Sequence, residues 1–220
     1  MNWYEIALIV LAVLASIVVV ALGLTAKERK RKKEIAKAKM ESGSKGEEIT
    51  ADVLQALQGR NYLLNGLIIE YLPGKTSEMD HVLVRQNGIF CIETKAWGGR
   101  ITGSKKDEFW LRQRGGSFEK MKNPLVQNVG HLRTLNRVFG EKNIKCKIVP
   151  VIVFAKNNAS SVDCGNVVNL RDLDRWIARY DDGTCYSKRK MKKIYKTLKK
   201  ASGKVSHAKH VKNLRRNNNK

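Results

Sequence analysis

The sequence has few of the residues that would indicate a metal–thiolate protein or a disulfide-bonded protein. Its 220 residues include only four cysteines, and no two of them form a C-x-x-C pair. This spacing predicts neither a zinc site nor a disulfide framework. Cys91 and Cys146 lie in apolar runs, where a free cysteine behaves as a small hydrophobic side chain. We expect His207 and His210, which have no cysteine partners nearby, to be solvated rather than a ligand pair.

Acidic residues are scarce at both ends of the chain, whose formal net charge is +23. Residues 27–39 contain eight Lys or Arg and two Glu, and fourteen Lys or Arg without any Asp or Glu follow Asp182. Residues 41–182 hold 21 basic and 17 acidic residues, so the middle of the chain is only slightly basic. Basic flanks of this kind predict polyanionic partners, either nucleic acid or anionic lipid headgroups.

Charged residues are also missing between Glu5 and Lys27. A helix over this apolar run would be about 30 Å long, which is the hydrocarbon thickness of a bilayer. Aromatic residues before the run and cations after it predict a single-pass transmembrane helix over residues 3–26 in the cell membrane, with the N-terminus outside and the rest cytoplasmic. The alternative is a signal peptide cleaved near Ala21-Leu22-Gly23. We favour the anchor, because the residues before the apolar run include Glu5 and no Lys or Arg.

A short stretch in the middle of the chain contains the pattern most informative about chemistry. Two apolar runs flank Asn87-Gly88, a dipeptide typical of a two-residue β-hairpin turn. A turn at these residues pairs Gln86 with Ile89 and, counting outward, Asp80 with Lys95. Alternation along the strands then places Asp80, Glu93 and Lys95 on one face, with the two carboxylates as diagonal neighbours about 7–8 Å apart at the backbone.

Two carboxylates beside an ammonium group suit a divalent metal site that cleaves phosphodiesters. Mg²⁺ is held by one or two carboxylates and takes its other oxygens from water and substrate phosphate. Lys95 could orient the attacking water or stabilise charge on the phosphoryl group. The alternative is an ordinary exposed cross-strand ion pair, which contributes about 0–1 kcal/mol. Val82, Val84 and Cys91 share the face, and charges on a partly apolar face are costly unless they are paired or bound to metal.

Five motifs, in order, resemble the nuclease-related domain (NERD) family of the PD-(D/E)xK nuclease superfamily. The resemblance covers about residues 44–155. The motifs are Gly46-Glu47, Met79-Asp80-His81-Val82, Gly88-Ile89-Phe90-Cys91-Ile92-Glu93-Thr94-Lys95, Trp97-Gly98-Gly99-Arg100-Ile101 and Asn123-Pro124-Leu125-Val126-Gln127-Asn128. The resemblance implies an α/β fold with a restriction-endonuclease-like mixed sheet flanked by helices.

The same resemblance implies roles for particular residues. Glu47, Asp80 and Glu93 would be acidic site residues, Lys95 the catalytic lysine and Gln127 a glutamine that a helix supplies to the site. Asp80 and Glu93, with the carbonyl of Thr94, would hold Mg²⁺ or Mn²⁺. The expected function is metal-dependent cleavage of nucleic acid, with DNA preferred to RNA. The alternative is a non-catalytic nucleic-acid-binding or scaffold module tethered to the membrane.

The predicted organisation has four parts. After the transmembrane helix at 3–26 come a basic juxtamembrane stem at 27–42, helical or disordered, and the α/β domain at 43–182. A basic extension at 183–220 follows, helical to about residue 200 and disordered from residue 207. Anionic lipid is a second candidate partner for the stem. Within the domain, apolar spacing predicts a helix at 47–58 that buries Ile49, Val53, Ala56 and Leu57, and a helix from Asn123-Pro124 that buries Leu125, Val129, Leu132, Leu135 and Phe139.

Overall fold

The computed structural model describes residues 2–218; for residues 5–20, 215, 217 and 218 it describes no side chains. The chain divides into two compact units, Met1–Ser44 and Lys45–Lys220. The helices are α1 (Trp3–Gln55), α2 (Pro124–Gly140), α3 (Leu173–Arg179), α4 (Lys188–Ser202) and α5 (His207–Asn218). The strands are β1 (Asn61–Leu72), β2 (Lys75–Arg85), β3 (Gly88–Lys95), β4 (Arg100–Ser104), β5 (Phe109–Arg114), β6 (Ser117–Lys122), β7 (Ile148–Phe154), β8 (Ser161–Asp163) and β9 (Val167–Asn169).

The first unit is helical from residue 3 onward, so the basic segment 27–42 is a helix and not a disordered linker. Within the part of the chain that the structure describes, no helix is both long enough and apolar enough to cross a membrane. The side chains of residues 5–20, which form most of the predicted transmembrane segment 3–26, lie outside the described residues. The transmembrane helix therefore stays a prediction.

The second unit is built on a mixed five-stranded sheet in the order β1-β2-β3-β7-β9. Strands β1, β2 and β3 are antiparallel neighbours, whereas β3, β7 and β9 run parallel. The central strands β3 and β7 are almost entirely buried, which explains their nearly continuous apolar sequence. The α/β fold with a mixed sheet flanked by helices is therefore confirmed.

Helices cover both faces of this sheet. On one face, α2 and α4 enclose a core that includes Val82, Cys91, Leu135 and Ile194. On the other face, the end of α1 and helix α3 pack on Leu83, Phe90 and Ile92 through residues such as Leu54 and Ile177. Burial of each apolar side chain of this kind contributes about 1.5–3 kcal/mol relative to exposure.

The predicted buried stripe at the end of α1 is confirmed in part, because Val53 and Leu57 pack, partly buried, against the core. Gly46, Thr50 and Leu54 are buried at four-residue spacing, whereas Ala56 is exposed and follows the helix end. A Cβ at Gly46 would lie 3.0 Å from the Cβ of Ala96, so glycine allows the helix to approach the ends of β3 and β7 closely. No cap forms at Ser44, because α1 continues through it.

Helix α2 begins where the Asn123-Pro124 signal predicted, and the Asn123 side chain accepts a hydrogen bond from the Leu125 amide. Its buried face in the first three turns differs from the predicted stripe. Asn128, His131 and Thr134 are buried, whereas Val129 is 43% exposed. The Asn128 side-chain amide donates to the carbonyl oxygens of Cys91 and Val151 at 3.0 and 3.2 Å. This buried polar residue therefore joins α2 to the backbone of the two central strands.

A second, smaller sheet has the order β6-β5-β4-β8 and lies between β3 and α2 in the sequence, apart from β8. Trp110 is fully buried against Phe154 of the main sheet, and its indole NH donates to the Ser104 carbonyl. The turn at Gly115-Gly116 joins β5 to β6, and both glycines have positive φ.

The predicted disorder after residue 207 is wrong for residues 207–218, which form α5. His210 is buried and not solvated; its ring lies 2.6 Å from the Thr76 hydroxyl and 3.1 Å from the Glu78 carboxylate. Lys209 pairs with Glu70 at 3.1 Å. Disorder was predicted from the basic composition alone, which does not indicate that Lys209 and His210 bind acidic and polar groups on β1 and β2.

Candidate functional site

The hairpin that carries the predicted carboxylates turns one residue earlier than the sequence suggested. Val84 pairs with Ile89 and Arg85 with Gly88, so the turn is Gln86-Asn87 and Gln86 does not pair with Ile89. The register therefore differs by two residues, and the predicted pairing of Asp80 with Lys95 is wrong. Because side chains alternate with a period of two, the shift leaves the faces of both strands unchanged.

Asn87 and Gly88 have other uses in this fold. The Asn87 side chain donates to the carbonyls of Ile177 and Tyr180, and so binds the end of α3. A Cβ at Gly88 would lie 2.8 Å from the Phe90 ring, so glycine leaves room for that buried side chain. The Asn-Gly dipeptide correctly predicted a hairpin. Asn87 and Gly88, however, suit the packing at these positions and do not form the two-residue turn themselves.

The observed register brings Asp80 and Glu93 directly opposite each other, one step beyond the pair that ends the ladder, His81 with Ile92. The Asp80 Oδ2 atom accepts a hydrogen bond of 2.7 Å from the Thr94 amide, which joins the strands where the ladder ends. Burial, and then the nearby charge of Glu93, raise the pKa of Asp80 to about 8. A carboxyl group held in this way favours either a proton or a cation at its oxygens.

Glu93 is nearly fully buried and is held by two nitrogen donors. Its Oε1 accepts from Lys95 Nζ at 2.6 Å, and its Oε2 lies 3.2 Å from His131 Nε2. Burial opposes ionisation of Glu93, but the hydrogen bonds and charges of His131 and Lys95 outweigh it, so the pKa of Glu93 lies below its ordinary value. The two carboxylates therefore have opposite pKa shifts, a pattern that often accompanies acid–base or metal chemistry.

Lys95 connects β3 to α2. Its ammonium group donates to Glu93 and, at 3.1 Å, to the side-chain carbonyl of Gln127. An ammonium group has three N–H donors, so one remains for a ligand. Lys95 Nζ also lies 5.8 Å from the centre of the Trp97 ring, close enough for a cation–π interaction.

His131 extends this network and was not predicted. Its Nδ1 lies 2.8 Å from the Ser77 hydroxyl. Because a carboxylate only accepts hydrogen bonds, the Nε2 that contacts Glu93 carries a proton. One signal in the sequence could have found His131: it follows Gln127 by four residues, so both lie on the same side of a helix.

Glu47 lies at the margin of the site, at the end of α1. Its pKa is raised, first by partial desolvation and then by the charges of Glu78 and Glu93, so Glu47 is electrostatically coupled to the carboxylates. The residue itself is exposed. The structure therefore brings Asp80, Glu93, Lys95 and Gln127 together and places Glu47 near them.

The donor set decides which metal ion these residues could hold. Among the described residues, no cluster of three or more His, Cys, Asp and Glu side chains is arranged to bind a metal ion. Zinc needs such a cluster, whereas Mg²⁺ and Mn²⁺ accept two carboxylates with water and phosphate oxygens. The carboxylate pair, with its raised Asp80 pKa, fits a hard divalent cation. The backbone amide of Thr94 donates to Asp80, and the buried Thr94 hydroxyl oxygen has no hydrogen-bond partner among the described residues.

Comparison with known proteins agrees with this architecture. The chain matches the nuclease-related domain over residues 42–155, which is more than half of its length. It is also 28% identical, over 198 residues, to an uncharacterized protein of Bacillus anthracis; the match covers 83% of this chain and 87% of the relative. No solved structure matches the chain. The motifs, the fold and this match together show that the chain belongs to the nuclease-related domain (NERD) family.

Proposed function

We propose that this protein is a membrane-anchored, metal-dependent nuclease that cleaves phosphodiester bonds, with DNA as its substrate. The observation that carries the proposal is the paired placement of Asp80 and Glu93 beside Lys95, whose ammonium group is held by Glu93 and Gln127. Membership of a nuclease-related family supports the same reaction class.

In this proposal Asp80, Glu93 and the Thr94 carbonyl hold Mg²⁺ or Mn²⁺. When bound, such an ion lowers the pKa of a coordinated water and stabilises negative charge on phosphoryl oxygens. Glu93 can bind the ion and still accept hydrogen bonds from Lys95 and His131, because each carboxylate oxygen has two lone pairs. His131 keeps the Glu93 carboxylate in a fixed orientation, so we assign it a positioning role.

Lys95 acts directly on the reacting groups. Its third N–H can donate to the attacking water or to a phosphoryl oxygen, where negative charge increases in the transition state. Gln127 fixes the ammonium group for this purpose, and Glu47 assists metal binding or the positioning of water. Donors held in advance by other residues need little reorganisation during the reaction.

The test is a cleavage assay of the full chain in mild detergent, on plasmid DNA and on RNA, with Mg²⁺, Mn²⁺ or EDTA. We expect cleavage of DNA with either ion and none with EDTA. Glu93→Gln should abolish cleavage. Lys105→Ala, which changes an exposed lysine in the turn between β4 and β5, should not. Equal cleavage by wild type and Glu93→Gln would indicate a contaminating enzyme and contradict the proposal.

A non-catalytic, membrane-tethered binding or scaffold module is the second candidate, and the exposed cations of α4 favour it. Eight of the fifteen residues of α4 are Lys or Arg, which suits phosphate binding without chemistry. Binding of nucleic acid without cleavage on any substrate, with either metal ion, would support this candidate.

We also propose that residues 3–26 anchor the protein in the cell membrane, with the N-terminus outside and the nuclease-related domain in the cytoplasm, and that the basic helical stem contacts anionic lipid. Cys185 is exposed and would lie on the cytoplasmic side. A membrane-impermeant thiol reagent should label it only after cells are opened. A mature protein that begins near residue 23 would instead show that the segment is a cleaved signal peptide.

A further inference from the structure

A concave groove lies between helices α2 and α4 and the turn that joins β1 to β2. Its volume is about 1070 Å³. Apolar side chains, among them Ile69, Leu72 and Val138, form part of its wall. Its charged residues are mainly cationic, since two acids, Glu70 and Glu141, accompany six bases. The bases are Arg137, Lys142, Lys193, Lys196, Lys200 and Lys204.

The cations of α4 are held in place by the core. Met191, Ile194 and Leu198 are buried against the sheet, and they follow one another at helical spacing. Lys193, Lys196 and Lys200 have the same spacing on the side of α4 turned away from this buried stripe, and they line the groove. A row of lysines on a helix anchored to the core is a fixed electrostatic surface, which differs from a disordered basic tail.

The groove continues toward the candidate site. A smaller cavity of about 450 Å³ shares Tyr71, Thr134 and Arg137 with it. This cavity adds Arg133 and is also lined by Gln127 and His131. Gln127 contacts Lys95, and His131 contacts Glu93. A ligand that fills both cavities would therefore extend from the lysines of α4 to the residues that hold the carboxylate pair.

We infer that this groove binds the phosphodiester backbone of one nucleic-acid strand and guides it to Asp80 and Glu93; the inference rests on the proposed nuclease function. The lysines, with Arg133 and Arg137, would neutralise successive phosphates, and Tyr71 and the apolar wall would contact sugars or bases. Release of counterions from the strand supplies the affinity.

The shape of the surface favours a strand over a membrane as the partner. A bilayer presents a nearly flat sheet of headgroups, which would contact the exposed lysines of α4 whether or not they line a groove. Lys188, Lys192 and Lys199 are exposed on α4 but do not line the groove. They therefore provide a charge-matched comparison on the same helix.

The experiment compares two triple variants of the full chain in mild detergent. The groove variant replaces Lys193, Lys196 and Lys200 with Gln, and the outer variant replaces Lys188, Lys192 and Lys199 with Gln. Gln has nearly the same helix propensity as Lys, so α4 should remain folded, which circular dichroism and thermal unfolding check. Binding of labelled single-stranded DNA, duplex DNA and RNA is measured by anisotropy in EDTA, so that cleavage does not interfere.

We expect the groove variant to bind about tenfold or more weakly at about 0.1 M salt, and its salt slope to fall by about 2–3, since up to three phosphate contacts are lost. The outer variant should retain most of the affinity and slope. Equal losses in both variants, no loss in either, or no binding by wild type would overturn the inference. Weaker binding of the groove variant to mixed detergent micelles that contain anionic phospholipid, with its nucleic-acid binding unchanged, would also overturn it.

Cleavage with Mg²⁺ separates this inference from the proposed function. If wild type binds through the groove but cleaves no substrate, the binding inference stands and the nuclease proposal fails. If wild type cleaves, and the groove variant binds and cleaves as well as wild type, the nuclease proposal stands and the groove inference fails.

Discussion

Replacing Asp80 with Asn should stabilise the metal-free protein, and the gain should increase with pH. The pKa of Asp80 is raised to about 8 in the folded protein, from an ordinary value of 3.8. Between these two values the folded state holds a proton that the unfolded state has released. Stability therefore falls as pH rises through this window. Asn has no proton to lose and can still accept the hydrogen bond from the Thr94 amide.

The expected gain in the free energy of unfolding follows from the width of this pH window. Each pH unit within it corresponds to about 1.4 kcal/mol, so the gain from Asp80→Asn could increase by at most about 4 kcal/mol between pH 5 and pH 8. Asp80 is not fully buried, and water at its carboxyl group lowers this figure. We expect an increase of about 2–3 kcal/mol.

Glu93→Gln is the matched control, because the pKa of Glu93 is shifted in the opposite direction. Its lowered pKa means that its stabilising effect is fully present above its ordinary value of 4.5 and is lost as pH falls through the lower, folded value. From pH 5 to pH 8 the cost of Glu93→Gln should therefore change less than the gain from Asp80→Asn, and only because loss of the Glu93 charge lowers the pKa of Asp80. We expect about 2–4 kcal/mol, because Lys95 would lose its charged partner.

The measurement is urea unfolding of residues 45–220 in EDTA at pH 5 and pH 8, followed by tryptophan fluorescence. Mg²⁺ should remove the advantage of Asp80→Asn, because a cation satisfies the ionised carboxylate. The reasoning about the carboxylate pair is wrong if Asp80→Asn is no more stable than wild type at pH 8, or if its effect is the same at both pH values.

Three further predictions concern other parts of the molecule. Lys95→Ala should lower the cleavage rate by about 10²–10³ while DNA affinity and circular dichroism remain nearly unchanged, because the lysine acts mainly on the transition state; unchanged cleavage would refute this role. Gly103→Ala should cost about 1–3 kcal/mol in chemical unfolding, because its Cβ would overlap the buried ring of Trp110, whereas Gly98→Ala meets no atom within 4 Å and should have little effect. His210→Ala should speed hydrogen exchange in α5, because it removes the contacts with Thr76 and Glu78; exchange as slow as in wild type would show that these contacts do not hold the helix.

The sequence was most informative where local patterns agree with the burial that the fold imposes. The continuous apolar run at 148–154 became the buried strand β7, and Asn123-Pro124 began α2. The motif order led to the α/β fold and to a set of residues that the structure brings together. Short-range alternation was enough for this, because a register error of two residues preserves which face each side chain occupies.

The errors arose where tertiary contacts determine the role of a residue. Asn87 binds α3, and Gly88 makes room for Phe90, so the apparent turn dipeptide gave the wrong register. The buried face of α2 carries Asn128 and His131 because it lies over strand carbonyls and a carboxylate. Hydrophobic periodicity cannot detect a polar buried face of this kind.

The position of the two carboxylates on consecutive strands has a consequence for the order of folding. Joining β2 to β3 is a local event, and it already brings Asp80 toward Glu93 before the parallel partner β7 is added. If this hairpin forms in the folding transition state, the repulsion between the two acids slows folding but has little effect on the rate of unfolding. Acid or a divalent cation would then change mainly the refolding limb of a chevron plot, so the site would determine how quickly the domain forms as well as what it binds.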